Sequence, residues 1–166
     1  MNLSLEKYIE RLNELINIKK ALLLDILALT ADQSGVIEED SLDTLGNLIE
    51  EKQRKIDEIN KLDEEFDTYF LRLKSVLGIS RLDRLDASKL EGSACSGAKQ
   101  LKAVTAEILD IIQRIGALEK ENEDKSKRLL GTFGDEIKKI NQGKKVNHAY
   151  APGLNKTTSY FIDKKK

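Results

Sequence analysis

Apolar residues recur along this chain in steps of three and four over three long stretches. In the longest, the positions are Leu101, Val104, Ile108, Ile111, Ile115 and Leu118, and the same phase then meets Asn122, Lys125 and Leu129. After a slip of one residue it resumes at Phe133, Ile137 and Ile140. That spacing is one face of an α-helix, and a helix of about forty residues runs roughly 60 Å. The stripe is dense and aliphatic up to Leu118, polar at Asn122 and Lys125, and sparse beyond, where Gly131 and Gly134 each weaken a helix by about 1 kcal/mol relative to Ala. The first half therefore reads as core and the second as a less complete face.

Leu3 to Leu29 keeps the same step through Leu5, Tyr8, Leu12, Leu15, Leu22, Ile26 and Leu29, with Ile9, Ile16, Leu23 and Leu27 as a second stripe beside it. A face that wide suits a helix touching two neighbours. The run Thr30-Ala31-Asp32-Gln33-Ser34-Gly35 is small and polar and is expected to be a turn. Asp40 or Ser41 then caps a second helix from Leu42 to Leu77, whose stripe is interrupted by Lys52 and Asp63. Its outer face pairs acids with bases four residues on, at Glu50–Arg54, Glu51–Lys55 and Asp57–Lys61. Gly78 to Ala98 is the longest irregular stretch, with a helical turn or two expected around Leu82 and Leu85 and a small, flexible run from Glu91 to Gly97. The expected fold is all-α: an elongated antiparallel, coiled-coil-like bundle of three long helices near 3–30, 40–77 and 97–142, with an extended C-terminal tail. Residues 1–143 form the bundle domain and residues 144–166 the flexible tail.

Composition narrows the function classes. The chain has 28 basic and 29 acidic residues among 166, so it offers no field for a polyanion, and nucleic acid is not an expected partner. The single cysteine, Cys95, and single histidine, His148, allow neither an internal disulfide nor a Cys/His zinc site. The start, Met1 to Ser4, lacks a basic region followed by an apolar core, and Leu22 to Leu29 is too short to span a bilayer and carries Asp25. The expected address is the cytoplasm, without membrane insertion.

No catalytic constellation stands out: there is no phosphate loop, paired cysteine or nucleophile elbow. No cofactor and no metal are expected. The one enzyme-like feature is the set Lys52, Asp63, Asn122 and Lys125 at stripe positions, since buried charges can build a small-molecule site. The plainer reading is that Asn122 sets helix register while the charges snorkel to the bundle edge. The tail is polar except at Val146, Tyr150, Leu154 and the cluster Tyr160-Phe161-Ile162. A pure linker has no use for such aromatics.

The C-terminal run Ile137-Lys138-Lys139-Ile140-Asn141-Gln142-Gly143-Lys144-Lys145, then Tyr150, then Ser159-Tyr160-Phe161-Ile162-Asp163-Lys164-Lys165-Lys166, resembles the ending of FlgN-type flagellar export chaperones. Leu48-Ile49-Glu50-Glu51-Lys52-Gln53 resembles that family's second helix, and Asn122 with Leu129 and Leu130 resembles its third. The resemblance implies a cytoplasmic helical bundle that binds hook-associated proteins of the FlgK and FlgL type. It would keep them unassembled and deliver them to the flagellar type III export apparatus, with no catalysis. From the residues themselves, the stripes leave more apolar face than three helices easily bury, which suits a partner helix or a second copy of the chain. Leu129, Phe133, Ile137 and Ile140 are the expected client contacts. Tyr150, Tyr160, Phe161 and Ile162 are expected to act either as a latch over that groove or as a docking motif for the export machinery. A scaffold coiled coil and a helical-bundle enzyme remain the alternative classes.

Overall fold

The computed structural model describes residues 4–39 and 41–137, with side chains as far as Thr132. Three long helices carry nearly all of it: α1 Leu5–Glu39, α2 Leu42–Leu77 and α3 Gly92–Ile137. Two 3-10 turns, Leu82–Arg84 and Ala87–Lys89, lie between α2 and α3. The fold is all-α, with no strand among the described residues. The helices divide into two compact units, one of Met1–Leu24 with Asp57–Ile111, the other of Asp25–Ile56 with Ile112–Lys166. Within each unit, segments of all three helices pack together.

In the first unit α2 runs against α1, so that Tyr8 meets Tyr69 edge-on, with ring centroids 6.2 Å apart, and Arg11 pairs with Glu65 at 2.5 Å. The segment of α3 runs along α1, with Asn13 bonded to the Gly97 carbonyl and Lys20 paired with Glu107. Ile9, Leu12, Leu15, Leu23, Leu73, Leu101 and Ile108 are fully enclosed at its centre. In the second unit Lys55 reaches Asp25 at 3.4 Å from the antiparallel α2 segment, and Asn122 of α3 bonds the Thr30 carbonyl.

Two expected boundaries are corrected. Thr30 to Gly35 is not a turn; α1 continues to Glu39. Two of the polar residues there, Thr30 and Gln33, lie on the inward phase and are buried, as is Ile37 further on, and Thr30 Oγ1 donates back to the Ile26 carbonyl at 2.6 Å. Burial overrides the local turn chemistry. α1 ends at Glu39 and α2 begins at Leu42, with the Ser41 carbonyl accepting the Leu45 N–H.

Likewise the run from Gly92 to Gly97 is helix and not a flexible connection. Its small residues serve close packing: Ala94 and Ala98 are buried, and a Cβ placed on Gly97 would meet Ile9 Cγ2 at 2.6 Å. The true connection, 78–91, begins where α2 ends at Gly78, whose φ of 66° favours glycine. Leu85 anchors it in the first unit, with its carbonyl held by Lys102 Nζ. Asp86 orders the second 3-10 turn by accepting both the N–H and hydroxyl of Ser88, which lowers its carboxyl pKa.

Candidate functional site

Of the expected client contacts, Leu129 is half-buried on α3. The backbone of Phe133 and Ile137 belongs to the same helix, but their side chains lie outside the described residues, as does Ile140 entirely. Tyr150, Tyr160, Phe161 and Ile162 also lie outside them. The described part of the apolar stripe thus reaches only the edge of the proposed contact.

The four polar stripe residues do not converge on a common pocket. Asp63, in the first unit, accepts from Lys19 Nζ at 2.6 Å. Lys52, in the second unit, is 3% exposed; it donates to Gln33 Oε1 at 2.9 Å and pairs with the equally buried Glu119. Lys125 binds Ser34 Oγ at 2.6 Å and Glu38 at 2.7 Å near the surface. That contact lowers the Glu38 pKa and raises that of Lys125. Asn122 is fully enclosed, its amide donating to the Thr30 carbonyl at 2.9 Å.

So Lys125 does reach the edge, whereas Lys52 does not snorkel. Burial pushes the Lys52 ammonium down to about 7, and the Glu119 carboxylate beside it acts in the opposite direction by favouring the charged form.

The register of α3 also differs from the sequence pattern. Beyond Ile115 the inward positions are Glu119, Asn122 and Ser126, while Leu118 and Lys125 are half-buried at the flanks. A hydrophobicity count passes over Glu119 because an acid scores as surface. The available signal was Lys52 itself, since a lysine on an inward stripe requires an opposite charge. Lys19 was legible in the same way: the step from Leu15 to Leu22 skips one inward position, and Lys19 fills it. Both buried lysines are tethered in ion pairs, which suits positioning better than proton transfer.

A groove of about 570 Å³ lies in the first unit between α1 and the start of α3, lined by Glu6, Glu10, Asn13, Asn17, Ser93, Ser96 and Gln100 among others. It offers amides, hydroxyls and carboxylates, two of which are already paired, Glu10 with Lys7 and Glu14 with Arg11. Among the described residues no group of three His, Cys, Asp or Glu side chains is placed to hold a metal ion, and no helix is long and apolar enough to cross a membrane.

These features define an all-α protein of three long helices with ion pairs buried between them. The family model described as FlgN protein matches residues 1–157, and the chain belongs to the FlgN family of flagellar export chaperones. No curated protein and no solved structure matches it.

Proposed function

We propose that the chain holds hook-associated proteins of the FlgK and FlgL type unassembled in the cytoplasm and hands them to the flagellar type III export apparatus. The family match over residues 1–157 supports this reading more than any other observation. The chain acts by binding alone, and no bond is made or broken. An amphipathic client helix lies along Leu129, Phe133, Ile137 and Ile140, in the helix-in-groove mode. The half-exposure of Leu129 and Leu130 at the near end of that stripe fits such a contact.

Titration calorimetry with a C-terminal peptide of a hook-associated protein tests it. Phe133→Ala is expected to weaken binding by about 1–3 kcal/mol, as for an aromatic anchor. An unchanged affinity with a lowered melting temperature would place Phe133 in the core and the client elsewhere. Light scattering with and without the peptide separates client capture from self-assembly, the outcome a scaffold coiled coil would give.

Residues 144–166 form a tail whose tip, Tyr160 to Ile162, acts with Tyr150 either as a displaceable latch or as a docking motif for the export machinery. Burying two of those tip side chains supplies roughly 3–5 kcal/mol before ordering costs. Only a tip that docks with the linker left loose retains part of that gain. Deleting 157–166 tightens client binding if the tip is a latch. It leaves binding unchanged and impairs export if the tip is a docking motif. Unchanged affinity with normal motility would remove both roles.

A further inference from the structure

In the second unit α3 is attached by a seam that changes character along its length. Ile112 and Ile115 are its buried apolar contacts, and the next inward residues are Glu119, Asn122 and Ser126. Opposite them stand Thr30 and Gln33 of α1 and Lys52 of α2, all buried. Asn122 bonds the Thr30 carbonyl, and Lys125 bonds Ser34. The two helices therefore run parallel here, and Gln33 and Ser126 lie one turn further along the same seam. The network is only partly satisfied: Gln33 Nε2, Asn122 Oδ1 and Ser126 Oγ are buried and have no hydrogen-bond partner among the described residues.

A polar contact that replaces water gains little on closing, and each buried atom left without a partner counts against the closed state. Lifting this segment of α3 returns all three atoms, and the Lys52–Glu119 pair, to water. On α3 itself, between 112 and 132, the buried apolar side chains are Ile112 and Ile115, with Leu118, Leu129 and Leu130 half-buried. In the first unit the same helix buries Ala94, Ala98, Leu101, Ile108 and Ile111, with no buried polar residue on it.

We propose that residues 112–132 of α3 open as one unit from the α1–α2 hairpin of the second unit, because their seam is a half-satisfied polar network, while residues 98–111 remain packed in the first. The seam then has two effects. Its charges and amides fix which face of α3 returns to the hairpin, and its weakness makes the departure frequent.

Hydrogen–deuterium exchange of the intact chain, read amide by amide with no partner present, tests this. The amides of 112–132 are expected to share one opening equilibrium, at least about tenfold more populated than that of 98–111. Equal protection in the two segments overturns the proposal. So do rates graded smoothly toward the helix end, the signature of simple fraying. A chain carrying Gln33→Leu, Lys52→Met, Glu119→Leu and Asn122→Leu replaces the seam with apolar contacts. It should raise protection of 112–132 at least about tenfold and leave 98–111 unchanged. If that chain does not fold, Ser126→Ala, which removes one partnerless hydroxyl, should still raise protection of 112–132 severalfold. A folded seam variant with unchanged protection shows that the polar network is not the cause and overturns the proposal.

Discussion

The two units are built from the same three helices and differ in what they enclose. In the first, the buried side chains are aliphatic or aromatic apart from Asn13 and Lys19. In the second, Ile26, Leu29, Ile37, Leu45, Ile56, Ile112 and Ile115 share the interior with Thr30, Gln33, Lys52, Glu119, Asn122 and Ser126. Apolar contacts are non-directional, so the first interior gains free energy from any dense arrangement. The second gains little net energy from its polar contacts but tolerates few alternative registers, because a shift of one residue would strand a buried charge. One unit is held mainly by area, and the other is specified mainly by pairing.

Breaking the Lys52–Glu119 pair is the sharpest test of that contrast. Lys52→Met alone leaves Glu119 buried beside an apolar neighbour and should cost about 3–5 kcal/mol in urea unfolding. Adding Glu119→Leu should recover most of that loss. A double variant as unstable as the single one would show that the pair is not what limits the unit. The pH dependence sharpens the same point. With the folded-state pKa near 7 against an ordinary 10.5, the unfolded chain binds the Lys52 proton more tightly than the folded chain between those values. Stability should therefore rise with pH across that window, relative to the Lys52→Met, Glu119→Leu chain, and the difference should level off below about 7. A flat difference across the window would mean that Glu119 keeps the ammonium charged.

A smaller effect is expected at the tightest apolar contact of the first unit. Gly97→Ala gains about 1 kcal/mol of helix propensity, but its methyl collides with Ile9 Cγ2, a branched atom held close to the backbone. The net loss should be about 1–2 kcal/mol, measured as a lowered urea midpoint. A stabilised variant would mean that α1 and α3 can separate there without loss.

The smallest effect belongs to Lys19→Met. Its partner Asp63 is partly open to water, so the stranded carboxylate can be solvated. A loss of about 1 kcal/mol is expected. A loss equal to that of Lys52→Met would erase the distinction between the two pairs.

Most of the fold was legible in the sequence. The stripes through Leu12, Ile26, Ile59 and Ile108 belong to helices that bury them, because a repeat of 3.6 residues needs only local geometry to declare itself. The polar part of the interior was half legible. Lys52 and Asn122 stand out as polar residues on apolar stripes, whereas Glu119 falls one residue off the stripe that runs through Leu118. Hydrophobicity alone cannot separate a solvated acid from a paired one. The end of α1 and the start of α3 differ from the sequence pattern for a related reason: the runs 30–35 and 92–97 are small and polar, and only their packing partners make them helical.

The sequence by itself determined the all-α class, the three helices and the inward phase of α1, of α2 and of α3 as far as Ile115, since these follow from the spacing of apolar residues and from glycine at Gly78. Tertiary structure decided which polar residues go inside and with whom. Lys52 could have reached water along its own stem. It is buried because Glu119 and Gln33, far away in sequence, arrive at its ammonium only when the three helices pack, and a charge stays buried only where its partner is already in place.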